Sequence, residues 1–304
     1  MTTVEKAIDC IHKNDPDLKN VNLSYRSLTS SQVCSLSEAL KANKTLETLY
    51  LSGNNIGNYS KGMKFLSEAL KVNNTLRELY LGDNNLGNCP ESMSFLSESL
   101  KDNNILQKLG LSGNNLGNHP RDMIFLTNVL KVNETLQSLI LNGNNFEICP
   151  ESLKLLSESL KVNKVLQKLW VAYNDLGNSR NLSGVYSLLK FLDSNNTLRE
   201  LGLFGNNLGN CPESMKILSE ALKVNNTLQQ LWLDENNLRS YPGGITPLLE
   251  VLKINYSIQE LGVTRNNFDE SIKNEIDNLL DRNKHNNNLK SSCLFGLMLP
   301  VLNF

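Results

Sequence analysis

The sequence predicts an α/β solenoid, and three observations carry that prediction. One stretch, Leu46–Gly57 (LETLYLSGNNIG), returns seven more times. Its first leucine recurs as Leu76, Leu106, Leu136, Leu166, Leu198, Leu228 and Ile258, in steps of 30, 30, 30, 30, 32, 30 and 30 residues. Within each unit, an apolar pattern of period two gives way to apolar residues spaced by three and four, so a strand is followed by a helix. A period of this size is the mark of stacked units, none of which can bury its apolar face alone.

The strand half of each unit has the form L-x-x-L-x-L-x-x-N-x-L. Its second leucine column is Leu49, Leu79, Leu109, Leu139, Leu169, Leu201, Leu231 and Leu261. The third column, Leu51 to Val263, lies two residues on, so both side chains share one face of a short strand. The asparagine column is Asn54, Asn84, Asn114, Asn144, Asn174, Asn206, Asn236 and Asn266. An amide side chain both donates and accepts. Where the strand ends and the backbone turns, such a column can satisfy peptide groups from coil to coil; leaving one unpaired costs about 1–3 kcal/mol.

The helical half aligns Leu66, Leu96, Leu126, Leu156, Leu188, Leu218 and Leu248 with a second leucine four residues later. Met63 and its equivalents lie three residues earlier. These offsets fall on one helical face. Pro90, Pro150 and Pro212, each followed by Glu, suit a first helical turn.

On these residues the chain resembles the leucine-rich repeat proteins, and its long helical units are similar to the ribonuclease-inhibitor-like subclass. The resemblance runs from about Leu18 to Leu294. It implies a leucine-rich-repeat solenoid shaped as a horseshoe, with a parallel sheet on the concave side and helices on the convex side. It also implies a binding role, since solenoids of this subclass generally act by binding.

Three segments are expected. Residues 1–17 form a capping helix, in which Thr2 and Glu5 have capping-box spacing and Val4, Ile8 and Ile11 share a face. Residues 18–283 hold one degenerate unit, with Arg26 where asparagine is expected, and eight regular ones. Residues 284–304 are a polar connector, a frayed strand over Leu289 and Leu294, and an apolar run, Phe295–Phe304 (FGLMLPVLNF). That run is expected to cap the last coil or to support self-association. The 304 residues would suggest two domains by length alone; the repeat overrides this, because one core can run through every unit. The two extra residues of the fifth step fall before Val185, as loop slack or as a bulge shaping a binding rim.

With 30 basic and 31 acidic residues, no basic surface favours nucleic acid or an anionic membrane. No apolar run approaches the length of a membrane span. Cys89, Cys149 and Cys211 occupy equivalent positions two units apart, about 9.6 Å or more at strand spacing, beyond the reach of a disulfide. Free thiols and the absence of an apolar leader predict a cytoplasmic protein. No metal or cofactor is expected, and no catalytic motif is present: His12, His119 and His285 share no local constellation.

Candidate binding residues are those the repeat leaves free. Between the second and third leucine stand Tyr50, Tyr80, Gly110, Ile140, Trp170, Gly202, Trp232 and Gly262. Phe204 and Asp234 lie two residues further along their strands, and Tyr173 replaces a common glycine. The expected site is therefore Tyr50, Tyr80, Trp170, Tyr173, Phe204 and Trp232, with Gly202 leaving a slot between the indoles. Glu200, Asp234, Glu235 and Glu260 would form an acidic rim interrupted by Lys108 and Lys168. Aromatic residues also favour strands without binding anything. Their density here, and the prominence of Trp and Tyr in binding hot spots, predict a scaffold that takes a protein or peptide on its concave face. Two alternatives follow from resemblance: a regulator of a small GTPase similar to Ran GTPase-activating proteins, although the acidic C-terminal segment typical of those is missing, or the recognition module of an innate-immune type receptor.

Overall fold

The computed structural model describes residues 3–177, 182–239 and 244–296. Among them, nine three-residue strands form one sheet in chain order: β1 (Asn20–Asn22), β2 (Thr48–Tyr50), β3 (Glu78–Tyr80), β4 (Lys108–Gly110), β5 (Ser138–Ile140), β6 (Lys168–Trp170), β7 (Glu200–Gly202), β8 (Gln230–Trp232) and β9 (Glu260–Gly262). Every neighbouring pair is parallel, and the central leucines are in register, Leu49 opposite Leu79 and so on to Leu231 opposite Leu261. Helices alternate with the strands: α1 (Thr3–His12), α2 (Ser30–Ala42), α3 (Ser60–Val72), α4 (Pro90–Asp102), α5 (Pro120–Leu130), α6 (Pro150–Val162), α7 (Leu182–Lys190), α8 (Pro212–Val224), α9 (Thr246–Ile254) and α10 (Glu270–Gly296). Strands repeat at about 4.8 Å, whereas packed helices need 8–10 Å. A stack with one of each per coil must bend with the sheet inside.

Between the two layers runs a single apolar core. The central strand leucines from Leu49 to Leu231 and the helix columns from Met63 to Leu252 are essentially inaccessible. At the N-terminal end, Val4 and Ile11 of α1 are buried and seal the first coil; Thr2 of the expected capping box lies outside the described residues. Pro opens α4, α6 and α8 as expected, and also α5.

The asparagine column forms the expected ladder. Asn84 Oδ1 accepts the N–H groups of Asn54 (3.0 Å) and Ile56 (3.1 Å), while its Nδ2 donates to Leu51 O and Gly82 O. The pattern repeats to Asn266, and all eight side chains are buried. A second ladder, not foreseen, runs along the other edge through Asn43, Asn73, Asn103, Asn133, Asn163, Asn195, Asn225 and Asn255. Each Nδ2 donates to the last turn of the preceding helix, as from Asn73 to Leu40 O at 2.7 Å and from Asn103 to Leu70 O at 2.7 Å. Each Oδ1 accepts the N–H three residues on, where the chain turns into its strand. The column thus satisfies helix-end carbonyls that would otherwise be orphaned.

The C-terminal segment differs from expectation. Residues 284–288 are no connector, and Leu289–Leu294 form no strand: α10 continues without a break to Gly296. No Gly or Pro interrupts Asp269–Phe295, so nothing ends the helix once begun. Its middle closes the second ladder. Arg282 donates to Leu252 O (2.6 Å), and Asn283 to Asn255 O (3.0 Å) and Ile258 O (2.7 Å). Residues 297–304 of the apolar run lie outside the described residues, as do residues 178–181 of the expected rim bulge.

Candidate functional site

Strand geometry sets the first and third side chains of each strand on the open face of the sheet and the second toward the helices. The third positions carry most of the aromatic rings. Tyr50 and Tyr80, on adjacent strands, stack with centroids 4.6 Å apart and planes 8° from parallel. That separation is close to the strand spacing, so the ladder itself sets it. Tyr80 donates to Glu78 Oε2 at 2.8 Å, and Lys108 Nζ lies 5.3 Å over its ring and 4.0 Å from Glu78. Burial first, and the bond to Glu78 second, push the Tyr80 phenol well above its ordinary pKa.

The second group is built differently. Trp170 and Trp232 lie two strands apart, nominally about 9.6 Å, yet their centroids are 6.3 Å apart with planes 22° from parallel. Trp170 reaches this position by leaning over Gly202: a Cβ at residue 202 would come within 2.6 Å of the indole. The slot expected at Gly202 is therefore filled by Trp170 itself. Trp232 leans in the same way over Gly262. Phe204 meets Trp170 edge-on at 5.6 Å and Tyr173 edge-on at 4.8 Å. Four rings from three consecutive coils thus touch in sequence, and Trp170, Phe204 and Trp232 stay partly exposed. Trp232 Nε1 is buried with no acceptor among the described residues.

Tyr173 is 52% exposed and left-handed, with φ +54°. Its ring lies over Gly205, and its hydroxyl approaches Glu235 Oε2 at 3.5 Å. Tyr25, overlooked in the sequence, repeats this arrangement in the first coil. It too is left-handed, lies over Gly53, and donates to Asp83 Oδ2 at 2.6 Å. The signal was available: Tyr25, Gly53 and Asp83 occupy the same column as Tyr173, Gly205 and Glu235.

The acidic rim is compensated in part. Glu200 is buried and paired with Lys168 at 2.7 Å. Glu235 is paired with Arg265 at 2.6 Å, and Asp234 accepts from the backbone and hydroxyl of Thr264. Glu260 stays exposed. The face is therefore aromatic, and its rim keeps the negative charge of Asp234 and Glu260. Among the described residues no group of His, Cys, Asp and Glu side chains could hold a metal ion, and no helix is long and apolar enough to cross a membrane. Cys10, Cys34, Cys89, Cys149 and Cys211 carry free thiols.

The Leucine Rich Repeat family model matches residues 45–66 and 75–96. No curated protein matches the sequence. Among solved structures, the chain is similar to leiomodin-1 actin-binding site 2, at 13% identity and a TM-score of 0.25, over 98% of this chain and 99% of that one. It is also similar to the tropomodulin C-terminal domain of Caenorhabditis elegans, at 18% identity and a TM-score of 0.27, over 73% of this chain and 92% of that one. The register-locked parallel strands, the asparagine ladder behind them and the family match to two of the units together identify the chain as a leucine-rich repeat protein.

Proposed function

We propose that this protein is a non-catalytic, cytoplasmic scaffold of the ribonuclease-inhibitor-like kind, which takes a protein partner on its concave face. The observation that supports this most is the contact chain Tyr173–Phe204–Trp170–Trp232 on the open face of the sheet. An aromatic surface of that extent, left partly exposed by the fold, is the composition of an interface centre. Tyr50 and Tyr80 form an outlying contact. Lys168 and Arg265 neutralise Glu200 and Glu235, which leaves Asp234 as a mildly acidic edge to the site, so the partner's central surface is apolar rather than strongly basic.

The test is a side-by-side capture from cytosol with the wild type and the Trp170→Ala, Trp232→Ala double variant, followed by affinity measurement on the protein retained by the wild type alone. The double variant should weaken binding by at least about 2 kcal/mol, roughly 30-fold. Equal affinity of both forms for the captured partner would overturn the site. Stimulated GTP turnover by a captured small GTPase would move the reading to the regulatory alternative.

A further inference from the structure

Among the described residues, the last strand of the sheet is paired on one edge only. In the inner coils each strand passes the same groups to the next. Leu233 N–H donates to Gly262 O at 2.7 Å and Glu235 N–H to Thr264 O at 3.0 Å, while Gln229 O accepts the N–H groups of Gln259 and Glu260. The corresponding groups on β9 are Val263 N–H, Arg265 N–H and Gln259 O, and none has a backbone partner among the described residues. The asparagine ladder stops at the same place. Asn236 and Leu238 N–H are received by Asn266 Oδ1, but the N–H groups of Asn266 and Phe268 meet no further asparagine among the described residues.

The side chains agree with the backbone. Leu231 and Leu233 are fully buried, whereas their counterparts Leu261 and Val263 remain partly exposed. Beside them a cleft of ≈ 360 Å³ separates β9 from α10, walled by Trp232 on the sheet side and by Lys273, Ile276 and Asp277 on the helix side. Its floor is apolar, and its charged lining, Asp234 and Asp277 against Lys273, is only mildly acidic, so shape and ladder select more strongly than net charge.

We propose that the free edge of β9 is a docking site for an extended peptide segment of the form apolar-x-apolar-x-x-Asn, added as a parallel tenth strand. The ladder fixes this chemistry. Two carbonyls two residues apart meet the N–H groups of Val263 and Arg265, and a pair of N–H groups upstream meets Gln259 O. A side-chain amide oxygen further along takes the N–H groups of Asn266 and Phe268. The apolar side chains close over Leu261, Val263 and Ile276. Strand addition of this kind draws affinity from main-chain bonds and specificity from alternate side chains. The site stands on the strand edge and not on the aromatic cluster, so it survives the loss of the concave-face reading.

The probe is a synthetic peptide copying Leu228–Leu238 (LQQLWLDENNL), the unit that already makes these bonds inside the stack. Amide hydrogen exchange is followed on the full chain with and without it. At saturating peptide, the Val263 and Arg265 amides should slow by at least about tenfold, as new hydrogen bonds require. Val263→Pro removes one of the donors at an edge where proline is tolerated, and should weaken the peptide at least about tenfold. A peptide N-methylated at the positions of Gln229 and Gln230 reads the partner's side of the same ladder and needs no protein variant. No slowing at millimolar peptide, slowing confined to β6–β8, or undiminished binding of the N-methylated peptide would overturn the proposal. So would sedimentation showing the edge already paired with a second copy.

Discussion

Two aromatic groups stand on the same face of one sheet, in the same repeat position, and are built on different principles. Tyr50 and Tyr80 come from adjacent coils, and their 4.6 Å stack follows from the strand spacing. Trp170 and Trp232 come from alternate coils and meet only because Gly202, in the coil between, has no side chain to hold them apart. The tyrosine pair is a consequence of the ladder. The tryptophan cluster depends on a particular glycine, and it draws in Phe204 and Tyr173 besides. Between the groups, Gly110 and Ile140 interrupt the aromatic row. Equivalent positions in a repeat are thus not equivalent sites.

The largest expected effect separates the groups by binding. The double Trp→Ala variant should lose at least about 2 kcal/mol of partner affinity, whereas Tyr50→Ala, Tyr80→Ala should lose less than about half of that, because hot spots gather near the interface centre. Calorimetric titration of both variants against the same partner checks this. If the tyrosine variant loses as much as the tryptophan one, the centre of the site lies in the wrong half of the molecule.

Gly202→Ala attacks the cluster without touching a ring. Its Cβ would lie 2.6 Å from Trp170, so the indole must swing away from Trp232. Overpacking of this kind costs about 1–3 kcal/mol. The expected result is a lower melting temperature together with a changed near-ultraviolet signal from stacked indoles. Gly110→Ala offers the control in the other half, where the added Cβ meets the Tyr80 ring edge at 2.7 Å. An unchanged indole signal in Gly202→Ala would show that the two tryptophans do not need the glycine.

Most of the fold was legible because each coil repeats the same physical demand. Leucine columns, the strand-end asparagine and the proline helix starts recur at one period, and eight copies leave little room for another fold. The second asparagine ladder recurs just as faithfully but was overlooked, because Asn beside a helix end also reads as an ordinary stop signal. The site was legible as positions and not as geometry. The concave column follows from period two, yet the lean of Trp170 into the space above Gly202 depends on side-chain rotamers that spacing does not specify. The charges misled for a related reason. Glu200 and Lys168 are distant in sequence and neighbours only across strands, so counting acids along the chain overstated the rim.

A pH experiment probes the seam between the two groups, in the coil of β4 and α5. There Asp122 occupies the column that holds Ser92 and Ser152, whose hydroxyls donate to Gly57 O and Gly117 O. Both carboxyl oxygens of Asp122 are buried with no partner among the described residues. Burial raises its pKa to about 6, against the opposing pull of His119 and Arg121. A carboxyl that holds its proton more tightly when folded favours the folded state at low pH. That advantage fades as pH rises from the ordinary carboxylate value toward about 6. Asp122→Ser should therefore gain on the order of 1 kcal/mol over the wild type above that range and lose the advantage near pH 4. Denaturant melts of both proteins across pH 4–8 measure the difference; a constant offset would mean the carboxyl titrates normally.

The smallest effect distinguishes the tyrosine stack from a mere by-product of strand spacing. Burial is the larger cause of the raised Tyr80 pKa, and the hydrogen bond to Glu78 is the smaller. Glu78→Gln keeps an acceptor in place but removes the negative charge that holds the phenolic proton. Stability should change by less than about 1 kcal/mol, as for other partly exposed charge interactions. The alkaline absorbance titration of Tyr80 should move down yet remain above that of a free phenol, since the stack with Tyr50 still shields the ring. A return to the ordinary value would mean that Glu78 alone sets the shift. The tyrosine pair would then be solvated like any surface residue, and the contrast between an enclosed pair and a glycine-dependent cluster would fail at its weaker member.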